Sequence, residues 1–429
     1  MRTIERERYL NRLIDRKENG MIKVITGIRR CGKSFLLFRL FFAHLLQQGV
    51  REDHIIRVAL DDDDNRELRN PDVLSAYLHD RIADDGEMYY VLLDEVQFAI
   101  SEEELRHNGP IRIYGILNGL LQRANADVYI TGSNSRFLSS DIMTEFRGRG
   151  DEVRVYPFSF SEFYSARGGD KYEAFTEYLT FGGMPIVLSQ KREADKSGYL
   201  RDAMKETYLK DVVERNRLQG SEVMNRLVEV LASAIGSLTN PLKLANSFDS
   251  SGLKVSDVTV SNYVHYLEDA FLLQKAERYD VKGKKYISTP YKYYFTDVGL
   301  RNAVLNFRQQ EPTHLMENII YNELLMRGYS VDVGIVTYTD QKEDGKRTTV
   351  RSEVDFVCNL GSQRYYIQSA FSIPTQEKMA QETASLDRIG DSFKKIIIVG
   401  DMIRPWRNEK GYLIMSIYDF LLNSDSLEM

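Results

Sequence analysis

The sequence predicts an α/β fold in which a parallel sheet is covered by helices, followed by a helical region and a second, smaller α/β region. Three observations lead to this prediction. Short apolar strands alternate with helical patterns over the first 160 residues, a glycine-rich loop follows the first strand, and an acidic pair ends the third. Strands that alternate with helices are typical of a parallel sheet buried on both faces.

The composition is that of a globular protein with several domains. At about 150 residues per domain, 429 residues predict two to four domains, and 43% hydrophobic with 28% charged residues argue against disorder. The net charge of −6 means that any basic surface must be local. Two cysteines, Cys31 and Cys358, exclude a disulfide framework. The longest apolar stretch, residues 35–46, contains Arg39 and His44 and is too short for a membrane helix. We therefore expect a cytoplasmic protein without a membrane partner.

The elements of the first region follow from its hydrophobic pattern. Residues 1–20 are expected to form a polar helix, and a second helix is expected from Lys33 to Gln48. Five apolar runs predict the strands, at residues 21–27, 54–60, 89–95, 127–133 and 151–157.

The loop after the first strand carries the strongest chemical signal. Its residues match G-x-x-x-x-G-K-[ST] between a strand and a helix: Gly27, Ile28, Arg29, Arg30, Cys31, Gly32, Lys33 and Ser34. Such a loop wraps a phosphate with its backbone N–H groups, and the helix N-terminus adds a favourable dipole. We expect Lys33 to reach the β- and γ-phosphates of ATP and Ser34 to ligate Mg²⁺.

The third predicted strand ends in Asp94 and Glu95, where an ATPase with such a loop needs acidic groups. Asp94 is expected to hold Mg²⁺ through water, and Glu95 to act as the general base for the attacking water. The fourth strand ends in small polar residues, among which Asn134 is the candidate sensor of the γ-phosphate and Ser133 the alternative. Four aspartates at 61–64 are read as a solvated loop.

Several motifs together resemble a known family. They are ITGIRRCGKS, LLDEVQ, TGSNS, FRGR and YPFSFSEF, followed by GGMP, MENIIYNELLMRGY and EVDFV. These stretches are similar to the bacterial AAA-type ATPases that join an ATPase core to a C-terminal domain of unknown function (DUF4143-like). The resemblance implies a P-loop NTPase core of the additional-strand catalytic-glutamate type, a winged-helix domain, and a degenerate PD-(D/E)xK nuclease fold. It also implies that Arg149, or alternatively Arg147, acts as an arginine finger.

The corresponding division of the chain has four parts. They are an ATPase core at 1–160, a helical lid or linker at 161–240, a winged helix at 241–308, and the nuclease-like domain at 309–429. A hairpin is expected within residues 274–293. This segment contains six cationic and two acidic side chains, which are Lys275, Arg278, Lys282, Lys284, Lys285 and Lys292, and Glu277 and Asp280. DNA contact through Lys282, Lys284 and Lys285 is one interpretation, and a protein contact is the other.

The nuclease-like region lacks residues that cleavage requires. Glu317 and Asp355 match the expected acidic positions, but Gln368 and Ala370 stand where a glutamate and a lysine are needed. The sequence therefore favours a Mg²⁺-dependent ATPase without nuclease activity. The alternative is an ATP-dependent switch or scaffold that binds DNA, a protein partner or another copy of itself with negligible turnover.

Overall fold

The computed structural model describes residues 4–101, 103–104, 111–132, 148–218, 221–249, 252–341 and 347–429. The chain divides into two compact units. The first contains residues 1–157 with 269–271, and the second contains residues 158–268 with 272–429.

The first unit is built on a five-stranded parallel sheet. Its elements are α1 (Glu7–Ile14), β1 (Ile22–Thr26), α2 (33–47), β2 (Ile55–Ala59), α3 (Pro71–Arg81), β3 (Tyr89–Asp94), α4 (Arg112–Leu120), β4 (Ala126–Thr131) and β5 (Gly150–Arg154). The strand order is β2-β3-β4-β1-β5, and each neighbouring pair is parallel. Strand β4 is therefore inserted between β1 and β3. This confirms the additional-strand P-loop NTPase core.

The apolar runs in the sequence explain why these strands lie inside. Every residue of β1 and β3 is buried, because helices cover both faces of the sheet. All five strands are parallel, so their carboxyl ends meet at one edge. That edge receives the glycine-rich loop after β1, the acidic pair after β3 and the end of β4. The helix α2 contains a π-helical stretch, Leu36–Phe41.

The second unit begins with helices and continues into a second sheet. Its helices are α5 (Phe160–Arg167), α6 (Lys171–Phe181), α7 (193–215), α8 (Glu222–Ser233), α9 (Pro241–Asp249), α10 (Asp257–Asp269), α11 (Val298–Val304), α12 (Pro312–Met326), α13 (Gln376–Asp387) and α14 (Ile417–Leu422). Its strands are β6 (Leu273–Asp280), β7 (Lys285–Phe295), β8 (Ser330–Gln341), β9 (Arg347–Leu360), β10 (Gln363–Ala370), β11 (Lys394–Val399), β12 (Trp406–Arg407) and β13 (Leu413–Ser416).

The predicted basic hairpin is present as β6 and β7, but it does not stand alone. The sheet order is β12-β13-β11-β10-β9-β8-β6-β7, and β6 pairs in parallel with β8. The hairpin thus continues the sheet of the C-terminal part. The sequence reading had not identified β8, the strand that makes this connection. The four-part division of the chain stays a prediction.

Among the described helices, none combines the length and apolar character needed to cross a bilayer.

Candidate functional site

The glycine-rich loop has a backbone that only its glycines allow. Gly27 has φ +136°, and a Cβ there would lie 2.0 Å from the carbonyl oxygen of Val155. Gly32 has φ +103° and directly precedes α2. At Gly27 a side chain would clash with Val155, whereas at Gly32 the nearest atom is 3.5 Å away and the positive φ alone favours glycine. The loop therefore lies close against the backbone of Val155 at the end of β1.

Lys33 lies inside this loop. Its side chain is only 4% exposed. The ammonium donates hydrogen bonds to the carbonyl oxygens of Gly27 at 3.0 Å and Ile28 at 3.2 Å. Among the described residues, the hydrogen-bond partners of this buried cation are neutral carbonyls, so it is well placed to pair with an anion. Arg29 and Arg30, by contrast, are exposed on the outside of the loop.

Asp94 lies next to Ser34 at the same edge. The carboxylate is 3% exposed and accepts a hydrogen bond from the Ser34 side chain. Burial raises the pKa of Asp94, and the hydrogen bonds from Ser34 and Thr131 partly oppose this effect. The described residues contain no cluster of three or more His, Cys, Asp or Glu suited to a metal. Magnesium at nucleotide sites takes one or two protein oxygens together with phosphates and water, so Ser34 and Asp94 fit that donor set.

Thr131, at the end of β4, joins the two acidic residues. Its hydroxyl donates to Oδ1 of Asp94 and accepts from the backbone N–H of Glu95 at 3.1 Å. Glu95 itself has φ +52°, outside the strand conformation, so its backbone turns away at this point. Sequence analysis does not identify Thr131, although it is the last residue of β4 and lies just before the polar run with Ser133 and Asn134.

Arg6 connects the N-terminal segment to the loop. Its guanidinium is buried, at 3% exposure, and donates to the carbonyl oxygens of Cys31 at 2.7 Å and Tyr156 at 2.8 Å. The Tyr9 ring packs against it at 4.5 Å from the guanidinium carbon. Arg6 was also missed, because nothing in the local pattern of α1 separates it from the neighbouring arginines.

The remaining predicted residues of this site are placed differently. Asn134, Ser133 and Arg147 lie outside the described residues. Arg149 is exposed, and its carbonyl oxygen accepts from the N–H of Ile22 at the start of β1. It therefore lies at the opposite edge of the sheet, about five residues or roughly 16 Å from the loop. Within one chain the structure does not bring Arg149 to the phosphate loop.

The aspartates at 61–64 are exposed, as the solvated-loop interpretation expected. Asp62 accepts from the N–H of Asp64 and so caps the short helix Asp63–Arg69. The side chain of Arg69 donates to the carbonyl oxygens of Leu60, Asp61 and Asp62. These contacts explain the run as a local turn.

The second unit holds a buried charge cluster that the sequence reading had not anticipated. Lys292 of β7 is 3% exposed, and its ammonium lies 2.8 Å from Glu317, 2.6 Å from Glu353 and 3.9 Å from Asp355. The Tyr294 hydroxyl donates to Glu317 at 2.6 Å. Burial, and to a smaller extent the negative charge of Glu317, raises the pKa of Asp355 to about 8.

This cluster corrects the interpretation of one cation of the hairpin. Sequence analysis includes Lys292 among the cations of the hairpin, but its ammonium is buried and paired with Glu317 and Glu353. The cluster also places an ammonium near Glu317 and Asp355, from a different strand than Ala370; the absence of nuclease activity stays a prediction. Lys282, Lys284 and Lys285 are exposed at the tip of the hairpin, as expected.

Sequence comparisons match two family profiles. A family described as "AAA domain" matches residues 19–164, and a domain of unknown function, DUF8612, matches residues 172–311. The first match contains the glycine-rich loop and the strands β1 to β5. The second runs from α6 to α11, so the similarity to a DUF4143-like domain stays a prediction.

Two relatives cover most of the chain. An uncharacterized protein of Haemophilus influenzae is 33% identical over 424 residues, which is 98% of each chain. An uncharacterized protein of Methanocaldococcus jannaschii is 24% identical over 373 residues, 83% of this chain and 76% of the relative.

Structural comparison aligns this chain with two solved proteins, among others. The Walker-type ATPase of Pyrococcus abyssi is 16% identical, with a TM-score of 0.47, and the match covers 71% of this chain and 96% of that one. AMPPCP-bound DnaA from Aquifex aeolicus is 14% identical, with a TM-score of 0.32, and the match covers 60% of this chain and 85% of that one.

Proposed function

We propose that this chain, which belongs to the same family as the Haemophilus influenzae relative and matches an AAA domain over residues 19–164, binds ATP with Mg²⁺ and hydrolyses it to ADP and phosphate. One observation carries the proposal. The carboxyl edge of the first sheet holds Lys33 inside the glycine-rich loop and Asp94 hydrogen-bonded to Ser34. A cation, a hydroxyl and a carboxylate in this arrangement suit a nucleotide triphosphate.

The residues divide the chemistry as follows. The loop amides and Lys33 hold the β- and γ-phosphates, while Ser34 and Asp94 hold Mg²⁺, which supplies charge neutralisation when bound. Glu95 accepts a proton from the attacking water. The water oxygen bonds to the γ-phosphorus, and the bond from that phosphorus to the β–γ bridging oxygen breaks. Asn134 is proposed to sense the γ-phosphate. Arg149 could act as a finger only on a nucleotide held by a second copy, since it lies at the far edge of its own sheet.

ATP titration tests the binding half of this function. Lys33→Ala should weaken Mg²⁺–ATP binding at least 10- to 100-fold, because charge-assisted hydrogen bonds contribute roughly 1.5–3 kcal/mol. Arg39→Ala, an exposed position on α2, is the control and should bind like the wild type. Unchanged affinity in Lys33→Ala would refute the assignment of the loop.

We also propose that nucleotide state is coupled to recognition by the second unit, through a winged-helix element formed by α8 to α10 with the β6–β7 hairpin. Three lysines at the tip of this hairpin are exposed: Lys282, Lys284 and Lys285. Lys275 pairs with Glu277 at 3.1 Å and Lys292 is buried, so the tip carries the available positive charge. Phosphate groups of DNA are the proposed ligand. A switch that binds DNA or a protein with negligible turnover is the alternative to an ATPase.

Filter binding at two salt concentrations tests the DNA contact. Changing the three tip lysines to alanine should weaken binding without altering sequence preference. The slope of log affinity against log salt should fall by up to about three. Lys191, Lys205 and Lys210, exposed in the same unit but outside this element, provide a matched triple-alanine control. Absence of binding by the wild type at low salt would leave the hairpin as a protein-contact element.

A further inference from the structure

Gln97 lies beside the proposed general base. It belongs to the short 3-10 helix Val96–Ala99, which begins directly after Glu95. Its Nε2 donates a hydrogen bond to Oε2 of Glu95. Glu95 stands at the N-cap with φ +52°, and this turn brings a side chain two residues away back onto its carboxylate.

The other end of the Gln97 amide lacks a partner. Its Oε1 is buried and has no hydrogen-bond partner among the described residues. Exchanging the amide oxygen and nitrogen would not satisfy it, because Oε1 would then face the carboxylate oxygen of Glu95 and repel it. A buried acceptor without a donor costs roughly 1–3 kcal/mol. The position therefore fits a donor that arrives with the substrate.

We propose that Gln97 is a second residue that orients the attacking water in ATP hydrolysis, an inference that rests on the proposed function. A water molecule has two O–H groups. One donates to Glu95, which takes that proton as the water oxygen bonds to the γ-phosphorus. The second donates to Oε1 of Gln97, while Nε2 of Gln97 keeps the Glu95 carboxylate turned toward the same water. A water fixed by both hydrogens directs its lone pair toward phosphorus.

The test compares turnover and nucleotide affinity in Gln97→Met, which keeps the length of the side chain and removes both polar groups. Turnover at saturating Mg²⁺–ATP should fall about 10- to 100-fold, the loss expected when a reacting group is displaced by about 1 Å. The dissociation constant for a fluorescent ATP analogue should stay within about twofold of the wild type, because Gln97 is not proposed to contact the phosphates. Gln47→Met, the same substitution at an exposed position of the first unit, is the control and should match the wild type.

Thermal unfolding establishes that the variant is folded, and Gln97→Glu provides a second variant if Gln97→Met is not. That change keeps the shape but replaces the amide donor with a repelling carboxylate, so turnover should again fall. Turnover within twofold of the wild type in either folded variant would overturn the inference. A parallel loss of affinity would assign Gln97 a merely structural role. If the wild type shows no more turnover than Glu95→Gln, both the inference and the proposed ATPase activity are refuted.

Discussion

The hydroxyl of Thr131 donates a hydrogen bond to the carboxylate of Asp94, across two neighbouring strands of the first sheet. The same hydroxyl accepts from the N–H of Glu95, so its orientation is defined. One threonine thus holds the proposed magnesium ligand and the backbone of the proposed base. Strand order explains the contact, since β4 lies directly beside β3.

Thr131→Val should impair hydrolysis more than nucleotide binding. Valine has nearly the shape of threonine but removes one of the donors to the buried Asp94 carboxylate and the hydroxyl that accepts from the Glu95 N–H. We expect turnover to fall about 10-fold or more and stability to fall by about 1–3 kcal/mol. Phosphate release and chemical denaturation measure these effects. Thr131→Ser keeps the hydroxyl and should retain most of the turnover; equal losses in both variants would argue against the hydrogen bonds.

Arg6 is expected to stabilise the loop conformation that binds phosphate. Arg6→Ala removes the donors to Cys31 and Tyr156, so the loop carbonyl loses a charge-assisted bond of roughly 1.5 kcal/mol or more. ATP affinity should fall about 10-fold. Arg6→Lys keeps the charge but cannot bridge two carbonyls with a planar fork, so it should recover affinity only in part. An Arg6→Ala protein that binds ATP like the wild type would contradict this role.

Lys292 should matter for stability rather than for DNA binding. Lys292→Met leaves Glu317, Glu353 and Asp355 together without their cation, and breaking such a buried pair costs about 3–5 kcal/mol. Denaturation in urea measures the loss. Lys285→Met, on the same strand but exposed, should change stability by no more than about 0.5 kcal/mol. Similar small effects of both changes would show that the cluster contributes little.

Asp297 should make the stability of the folded protein depend on pH in the mildly acidic range. It is buried, caps α11 and accepts from the N–H groups of Gly183 at 2.7 Å and Leu300 at 2.9 Å. Burial raises its pKa from 3.8 to about 6, although these hydrogen bonds lower it. Between about pH 4 and pH 6 the native state therefore holds more protons than the unfolded state, and stability falls as pH rises through this window.

The Asp297→Asn variant tests whether stability falls as pH rises. Relative to the wild type, the variant should gain up to about 3 kcal/mol of stability as pH rises from 4 to 7, since one pKa unit corresponds to about 1.4 kcal/mol. Urea denaturation at both pH values gives this difference. A difference that does not change with pH would mean that Asp297 titrates alike in the folded and unfolded chain.

Local sequence patterns were sufficient to predict the strands and the loop that form the framework of the candidate nucleotide site. The glycine-rich loop directly follows the apolar strand β1, and Asp94 is the last residue of the apolar strand β3, so the positions of both could be predicted from adjacent residues. The contacts of Arg6 with Cys31 and of Thr131 with Asp94 could not, because they join residues 25 and 37 positions apart. Such contacts depend on which elements become neighbours in space.

The second unit shows the same limit more clearly. Lys292 looked like one of several cations on a polar hairpin, since the alternation along β7 does not reveal what covers each face. Its position next to α12 and β9 follows from the pairing of β6 with β8. Sequence analysis does not identify β8, so it gives the hairpin no neighbouring strand.

Steady-state phosphate release by the full chain is the most direct test of the proposed ATPase. The wild type and Glu95→Gln are compared with Mg²⁺–ATP, and binding of a fluorescent ATP analogue is measured on the same samples. Glutamine is a poor base, so Glu95→Gln should bind nucleotide like the wild type and lose at least about 100-fold in turnover. Turnover by Glu95→Gln close to that of the wild type, or no turnover by a wild type that binds ATP, would contradict the proposal.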